Sequence, residues 1–450
     1  MSDNNKNNFS ESLNYLLDVA KSQGATSSDA VIVSSSSTSV SIRGGELEDL
    51  ERSENSDVGL RVFVGARQAI VSSSDTRSPA LDKLATRAVE MAKVAPEDPW
   101  AHIASENKLS KNPGKDLNLF DKVEKSANEL KEMALEVEEA ALCVKGVEQA
   151  EGASAGWGQG GVALATSNGF FGEYKSSSFS TSVSALAGTG LKMERDYDYS
   201  SAHHFNDLMS PNEIGKSAGE RAIKRLGPKK VETTEVPIIF SPRVSNTLLG
   251  HLSGAINGRA IARGTSFLVD QLEKNIFKEG INIKDDPTQV KGLGSKPFDG
   301  EGIETRPHTF IENGLLKSWV LDLASAKQLG LETNGHATRR TSSPPGPSTS
   351  NFYMEAGDIS PEDLIKDIKD GFYITELIGM GVNGITGDYS RGATGFWIED
   401  GALAYPVSEV TVAGNLKTMF KELTPASDLK FRYGTNAPTV RIDGMILAGA

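Results

Sequence analysis

Apolar and polar positions in the first half of the chain form a pattern that occurs twice. Between residues 9 and 92, a stretch with helical spacing is followed by two runs of alternating apolar and polar residues and then by a second helical stretch. The same order recurs between residues 123 and 227. The pattern predicts an N-terminal α/β region, residues 1–228, made of two similar helix–sheet–helix units at about 1–100 and 119–228.

Local signals mark three boundaries within this region. The stretch 96–118 is rich in Pro, Asn and Lys, which predicts a linker. Asn168-Gly169, between two alternating runs, favours a type I′ hairpin turn. Ser210 and Glu213 stand at capping-box spacing and predict the start of the closing helix.

The second half changes character after Lys229-Lys230. A strand near 236–240 and a helix over 243–262 are followed mainly by short alternating runs. We therefore predict a β-rich, mainly antiparallel domain over residues 229–450 and an α+β fold overall. The remaining predicted features are turns at Asn313-Gly314, Asp400-Gly401 and Asp443-Gly444, helices near 322–329 and 360–371, and a surface loop at 341–350.

Composition and charge exclude several classes of protein. The chain has 450 residues and a formal net charge of −13, so it gains nothing from counterion release on a phosphate backbone, and we expect no direct nucleic-acid binding. No run of about 18 apolar residues predicts a membrane span, and the polar start MSDNNKNNFSES does not resemble a secretory signal. The single cysteine, Cys143, cannot form an internal disulfide and is expected to pack as an apolar residue. We expect a soluble, cytoplasmic protein.

Two glycine motifs and one histidine pair have structural interpretations. The sequence GWGQGG at 156–161 matches GxGxxG but precedes a hairpin pattern instead of a helix, and GKS at 215–217 lies inside the capped helix. His203-His204 stands among carboxylates, yet adjacent side chains diverge, and zinc needs three or four converging ligands. None of the three predicts a ligand site.

The other histidines and the hydroxyl residues give no catalytic motif. None of the six histidines begins an HExxH or HExxxH sequence, and there is no GxSxG. His251 lies on the predicted 243–262 helix, and Ala255 and Ile256, one turn later, cannot ligate a metal. We interpret His251 as a packed histidine or a polar contact.

Several stretches of the second half resemble the PmbA/TldD family. The resemblance lies in LGHLSGAI (249–256) with RGTSFL (263–268), KGLGSKPFDGEG (291–302), LGLETNGHA (329–337) and above all GITGDYSRGATGFWIEDGALAYPVSEVTVAGNLKTMF (384–420). Together with the α/β first half it covers nearly the whole chain. The C-terminal stretches are similar to the PmbA branch, which is also called TldE.

The resemblance implies a soluble bacterial or archaeal protein that pairs with a TldD-type subunit. In this family the TldD subunit carries an HExxxH zinc helix and a distant Cys ligand. The complex degrades unfolded peptides, matures peptide antibiotics of the microcin type and removes an antitoxin, and an older family label is modulator of DNA gyrase. We therefore expect zinc in a TldD-type partner, unfolded peptides as substrates and no cofactor in this chain. The sequence leaves open whether homodimers form.

This chain lacks the residues of the family's zinc helix, whichever of two alignments is used. If His251 takes the place of the first zinc histidine, Leu252 stands at the glutamate position and Ile256 at the second histidine. If the register is anchored on RGTS at 263–266, the three positions fall on Leu249, Gly250 and Gly254. No cysteine occurs in the second half. The resemblance thus implies the family's architecture and partnership without a zinc-bound hydroxide of this chain's own.

Three functions remain open on the sequence. The first is a non-catalytic subunit of a TldD/TldE-type zinc metallopeptidase that degrades or processes unfolded peptides. The second is an autonomous metallopeptidase with an unrecognised site, for example one built from His251, His308, His336 and nearby carboxylates. The third is a non-proteolytic regulator that binds a peptide or a partner.

A cleft for a peptide or partner is predicted around the block 384–420, together with the loop at 341–350. An extended peptide could add to a strand edge there through backbone hydrogen bonds, and arginine suits a peptide carboxylate. Side chains of the block, including Tyr389 and Trp397, are expected to be exposed. The candidate cleft residues are His251, Arg263, Arg339, Arg340, Asp388, Tyr389 and Arg391. The alternative is that the block is a turn-rich part of the core.

Overall fold

A computed structural model describes residues 9–449, so the first eight residues of the polar start lie outside the described residues. In chain order, the elements of the N-terminal region are α1 (Phe9–Ser22), β1 (Ser27–Arg43), β2 (Glu46–Val64), β3 (Arg67–Ser73), α2 (Ser78–Val94), α3 (Ala127–Leu142), β4 (Val147–Thr166), β5 (Phe171–Ala187), β6 (Glu194–Ala202) and α4 (Pro211–Lys224). A helix, three strands and a helix thus occur twice, which confirms the predicted repeat. Among these residues, no helix combines the length and hydropathy that a membrane crossing requires.

The six strands of the two units form one antiparallel sheet. Its order is β3-β2-β1-β4-β5-β6, and β1 joins the units because it pairs with β2 on one side and with β4 on the other. With 17 and 20 residues, β1 and β4 are far longer than a usual strand of about 5–6 residues. They extend beneath the helices of both units, so the two units share one sheet.

The helices cover one face of this sheet, and the second half of the chain covers part of the other. Ile32 packs with α1 and α2, whereas Val40, further along β1, packs with α3 and α4. Because side chains alternate across a strand, Val31 lies on the opposite face. There it belongs to a cluster with Phe298 from the second half.

The second half contains many short strands. Its elements are β7 (Thr234–Phe240), α5 (Pro242–Ala255), α6 (Gly258–Ala262), β8 (Ile283–Asp285), β9 (His308–Glu312), β10 (Leu315–Leu316), α7 (Leu323–Leu329), β11 (Ala337–Arg340), β12 (Ser343–Pro347), β13 (Phe352–Met354), α8 (Pro361–Ile365), β14 (Asp370–Ile378), β15 (Asp388–Glu399), β16 (Ala402–Asn415), α9 (Leu416–Glu422), β17 (Leu423–Pro425), β18 (Thr435–Asn436) and β19 (Val440–Ala448). Only β7–β14 and β13–β18 pair in parallel among these strands. The predicted β-rich, mainly antiparallel character is confirmed.

One sheet of the second half closes on itself. Its order is β16-β15-β14-β7-β19-β17, and β16 also pairs with β19, so the first five strands form a ring. α5 packs against this ring, and Leu248 and Leu252 join Phe240 and Phe372 in a continuous hydrophobic core. The ring thereby fixes the position of α5 and of everything that α5 carries.

Two predicted helices of the second half are shorter than expected. The helix over 243–262 is interrupted after Ala255, because the Asn257 side chain accepts a hydrogen bond from the backbone N–H of Arg259 and starts a new helix, α6. The helix predicted to run to Gly371 ends with α8, and Gly371 lies in β14.

The predicted loop at 341–350 contains a strand. Residues 343–347 form β12, which pairs with β11 in a two-stranded sheet. Proline is tolerated at such an edge because its missing N–H is not needed by a further strand. The Pro-rich composition therefore misled the prediction of a loop.

Turn signals have different outcomes. Asn313-Gly314 and Asp400-Gly401 connect neighbouring strands with positive φ at both residues of each pair, as a type I′ turn requires. Asn168-Gly169 does connect β4 and β5, but only Gly169 has a positive φ, so the predicted type I′ geometry is wrong.

The Asp443-Gly444 pair also differs from the prediction. It is not a turn between strands but a bulge inside β19, where the pairing with β7 shifts between Ile442 and Met445. Gly444 has φ 75°, a conformation that glycine adopts at little cost. The ladder thus continues beyond the pair.

Candidate functional site

His251 lies on α5 and packs against the closed sheet. Proline at the first position, Pro242, suits the start of the helix, and buried Leu248 and Leu252 turn one face of it toward the core. The half-buried His251 ring meets Tyr389 of β15 edge-on, with ring centroids 5.9 Å apart and an interplanar angle of 79°. Tyr389 itself is only 1% exposed.

Arg391 completes a group that we call the His251 cluster: His251, Tyr389 and Arg391. Tyr389 and Arg391 stand two residues apart on β15, so their side chains leave the same face of the strand. Burial, and then the positive charge of Arg391, lower the pKa of His251 below its ordinary value. Three of the seven predicted cleft residues are therefore brought together. The expectation that Tyr389 and Trp397 are exposed is wrong, since both are buried.

Each member of the His251 cluster has a buried polar atom without a hydrogen-bond partner among residues 9–449. These atoms are Nε2 of His251, Oη of Tyr389 and Nε of Arg391. Buried polar atoms are usually satisfied, and leaving one unsatisfied costs about 1–3 kcal/mol. Three such atoms in one place are suited to form hydrogen bonds with a ligand, for example with the carbonyl and N–H groups of a peptide.

Strand addition at β15 is not available to that ligand. β15 is paired with β14 on one side and with β16 on the other, so the ring leaves no free edge there. β-Addition at β15 is therefore excluded, whereas a strand edge elsewhere in the block 384–420 stays a prediction. A ligand at the His251 cluster has to bind through side chains.

The other four predicted cleft residues lie elsewhere. Asp388 is exposed and accepts hydrogen bonds from Thr386 and Asn415. Arg340, at the end of β11, and Arg263, after α6, are also exposed. Arg263 lines a separate cavity of about 260 Å³ between the two halves of the chain. The structure thus does not gather all seven residues into one cleft.

Arg339 is buried and paired, contrary to the prediction of a free arginine in the cleft. Its Nη2 lies 2.8 Å from Oδ1 of Asp29, and both side chains are less than 5% exposed. Oδ2 of the same carboxylate accepts a hydrogen bond from Nε of Arg61 at 2.7 Å. Asp29 and Arg61 belong to the N-terminal sheet and Arg339 to β11, so this ion triad joins the two halves.

His308 and His336 do come together, as the second functional alternative required, but without His251. Their rings are 5.6 Å apart. His336 is almost fully buried, and its Nε2 lies 3.1 Å from Oδ2 of Asp285, while its Nδ1 lies 2.9 Å from the backbone oxygen of Asn334. Both ring nitrogens of His336 are therefore engaged in the protein's own contacts, which is typical of a core histidine.

We expect His308 to make the protein less stable in mild acid. Burial, and then the neighbouring His336, lower the pKa of His308 from 6.5 to about 4. The unfolded chain therefore binds the proton more readily, and stability falls as the pH drops from about 6.5 to about 4. Allowing for the half-buried position of the ring, the loss is about 1–2 kcal/mol.

Urea unfolding at pH 7 and pH 4.5 measures this loss. His308→Gln cannot be protonated, so its free energy of unfolding should change less between the two pH values than that of the wild type. Equal changes in the two proteins would contradict the assignment to His308.

The motifs interpreted as structural occupy structural positions. GWGQGG lies within β4, and His203 and His204 contact the backbone oxygens of Ser177 and Asn118 through Nδ1 at 2.6 Å and Nε2 at 2.8 Å. Cys143 is exposed, so the expectation of an apolar packing role is wrong. Across residues 9–449, no three His, Cys, Asp or Glu side chains are placed so that they could hold a metal ion.

Sequence reasoning missed a cavity between the two halves of the chain. It has a volume of about 670 Å³ and lies where α4 and β6 meet the start of α5 and the strands β14–β16. Its lining residues come from positions 196 to 437. No contiguous motif announces such a site, because only the docking of the two halves brings these residues together.

Comparison with known proteins places the whole chain in one family. Models of the PmbA/TldA metallopeptidase family match domain 1 at residues 28–92, the central domain at 120–226 and the C-terminal domain at 233–449. The chain is 36% identical over 443 residues to the metalloprotease PmbA of Escherichia coli O157:H7, covering 98% of this chain and 96% of that protein.

Solved structures agree with this match. A Bacteroides thetaiotaomicron protein described as a modulator of DNA gyrase has a TM-score of 0.89 and 28% identity, covering 99% of this chain and all of the other. The TldE structure from Thermococcus kodakarensis has the same fold, with a TM-score of 0.85 at 20% identity over 97% of this chain and all of the other. From the closed sheet with its α5 helix to the two-unit N-terminal sheet, the chain belongs to the PmbA/TldD metallopeptidase family.

Proposed function

We propose that this chain is the non-catalytic subunit of a TldD/TldE-type zinc metallopeptidase that degrades or processes unfolded peptides. In this proposal a TldD-type subunit holds the zinc ion and performs the hydrolysis. Membership of the metallopeptidase family and the likeness to a TldE structure support a place in such an assembly.

The observation that carries the proposal is the environment of His251. At the positions that would correspond to the other residues of a zinc helix, Leu252 and Ile256 are 0% exposed and belong to the hydrophobic core. Arg391 places a positive charge near the imidazole, which repels a metal cation. Zinc needs three or four converging ligands. The residues on α5 and at its C-terminal end do not fit a zinc site, so in this proposal the partner performs the hydrolysis.

In the proposed assembly this chain contributes a binding site for the peptide backbone of the substrate. The unpartnered atoms of the His251 cluster include a hydroxyl, a guanidinium N–H and an imidazole nitrogen, which together can donate to and accept from a peptide bond. A site that binds the peptide backbone and not the side chains suits substrates of varied sequence.

Reconstitution with a TldD-type subunit tests this function. We expect the two chains to co-purify, the isolated chain to contain no stoichiometric zinc, and an unfolded protein substrate to be cleaved only by the mixture. Equimolar zinc in the isolated chain that is lost in His251→Ala, together with peptidase activity of that chain, would establish the autonomous enzyme instead. Failure to associate with any TldD-type subunit would favour the non-proteolytic regulator.

Variants of the His251 cluster test whether it binds the substrate backbone. In the reconstituted complex, Arg391→Gln and Tyr389→Phe should each reduce cleavage about tenfold, the usual effect of losing a hydrogen bond that involves a buried or charged group. Tyr389→Phe removes a hydroxyl that has no hydrogen-bond partner among residues 9–449, so the fold should be retained. Arg87→Gln, at an exposed arginine on α2 outside every candidate site, is the matched control. Wild-type cleavage by folded, assembled Arg391→Gln and Tyr389→Phe would show that the cluster is only part of the core.

A further inference from the structure

The 670 Å³ cavity between the two halves is a separate site from the His251 cluster. The N-terminal region supplies α4 and β6 to it, and the second half supplies the first residues of α5, parts of β14–β16 and the segment 428–437. Its volume lies within the range of small-molecule pockets, about 300–1,000 Å³. A cavity of this size holds a ligand of about two or three amino-acid residues.

The walls of the cavity carry more positive than negative side chains, although the whole chain has a net charge of −13. Five cationic and two anionic side chains line it: Arg221, Lys224, Arg243, Lys430 and Arg432 against Asp196 and Asp428. Arg221 and Arg432 lie 3.1 and 3.5 Å from the carboxylate of Asp198, so the surplus that remains is the charge of the two lysines, and it favours an anionic ligand.

Both carboxylates in the lining are already paired with other groups of the protein. Asp196 lies 2.7 Å from Nη1 of Arg243, and Asp428 accepts hydrogen bonds from the backbone N–H and the hydroxyl of Thr439. In contrast, Lys224 and Lys430 are exposed and form no ion pair within residues 9–449. These two lysines are free to pair with a ligand.

Ser241 adds a buried hydroxyl to the lining of the cavity. It is the residue before α5, a helix of 14 residues whose N-terminus carries a partial positive charge. Its side chain makes no capping hydrogen bond, and its buried Oγ has no partner among the described residues. Ser241 is only 5% exposed, yet it lines the cavity. A buried hydroxyl without a partner, at the positive end of a helix, suits an anion.

The remaining walls are apolar and aromatic. Phe396 and Leu403 come from the closed sheet, and Tyr373, Tyr405 and Tyr433 also line the cavity. An inorganic anion would leave this surface uncovered. The lining therefore suits an anion attached to an apolar or aromatic body.

We propose that this cavity binds the free C-terminal carboxylate of a short peptide that ends in an apolar or aromatic residue. The carboxylate lies near Ser241, Lys224 and Lys430, and the last side chain packs on Phe396 and Tyr405. The choice of a peptide over another organic acid rests on the proposed function, whereas the anion site rests on the cavity alone.

Calorimetric titration of the isolated full chain tests this binding without any partner subunit. The probes are N-acetyl-Ala-Ala-Phe with a free carboxylate, its C-terminal amide, 3-phenylpropanoate and inorganic phosphate. We expect the free acid to bind at least tenfold more tightly than the amide, because the amide lacks the charge that the lysines pair with. Equal binding of acid and amide, or binding of neither, overturns the proposal. 3-Phenylpropanoate or phosphate binding as tightly as the tripeptide overturns its peptide part.

Variants locate the binding in this cavity. Lys224→Gln combined with Lys430→Gln should weaken the acid about tenfold or more, and Lys421→Gln, at an exposed lysine on α9, is the control. Ser241→Ala should weaken binding several-fold while leaving the urea midpoint unchanged or slightly raised, because the hydroxyl has no hydrogen-bond partner within the described part of the chain. Unchanged affinity in both variants places the ligand elsewhere and contradicts the proposal. These titrations contain no TldD-type subunit. A failure of the two subunits to assemble would therefore contradict the proposed function without changing the measured affinities of the cavity.

Discussion

Asp29→Asn should lower the free energy of unfolding by about 3–5 kcal/mol, the usual cost of leaving buried charges without their partner. Asp29 is the one carboxylate that contacts both Arg61 and Arg339 in the buried triad. Removing its charge leaves two guanidinium groups, each less than 5% exposed, beside one another. Burial lowers the pKa of Arg339, which means that the buried position disfavours the charged guanidinium, and the charge of Asp29 acts in the opposite direction. Without that carboxylate the charged form of Arg339 is destabilised further.

Arg339→Met is the matched variant for this experiment. It leaves the Asp29–Arg61 pair intact and replaces the third side chain by an apolar one of similar length, so we expect a loss below about 1.5 kcal/mol. Urea unfolding of both variants and the wild type gives the comparison. If the two substitutions cost the same, Asp29 is not the common counter-ion. If Arg339→Met keeps its stability but impairs peptide cleavage in the complex, Arg339 has the functional role that the sequence suggested.

Gly59→Ala should be the second severe substitution, with a loss of about 2–4 kcal/mol typical of overpacking against backbone. A Cβ atom at Gly59 would lie 2.1 Å from the backbone oxygen and 2.5 Å from the Cα of Thr341. Thr341 lies in the turn between β11 and β12, so this hairpin rests directly on β2 of the N-terminal sheet. Backbone cannot move aside as a flexible side chain can, and the contact between the halves has to open.

Gly114→Ala is the control for this prediction, because a Cβ there meets nothing within 4 Å and its backbone is not left-handed. We expect its free energy of unfolding to stay within about 0.5 kcal/mol of the wild type. Thermal or urea unfolding, followed by a probe for each half, measures the effect. A Gly59→Ala variant as stable as Gly114→Ala would mean that the β11–β12 hairpin does not pack on the sheet in solution.

Local patterns in the sequence determined the element order and much of the capping. The helical and alternating spacings of the first half predicted both units, and the capping box of Ser210 and Glu213 is present at the start of α4. Asn313-Gly314 and Asp400-Gly401 form the expected turns because both positions need a left-handed backbone, which is a local property. Stretches 384–420 and 249–268 identified the family for the same reason, since a resemblance depends only on residue order.

Tertiary structure alone decided which charged and polar side chains are free. Nothing near Arg339 in the sequence shows that Asp29, some 300 positions earlier, neutralises it, whereas Tyr389 was expected at the surface and lies in the core. The same holds for the cavity at Ser241, whose walls come from both halves of the chain. Spacing along the chain determines local conformation and which side of an element a residue occupies. Burial and electrostatic partners depend on which surfaces dock, and docking is set by contacts between residues far apart in sequence.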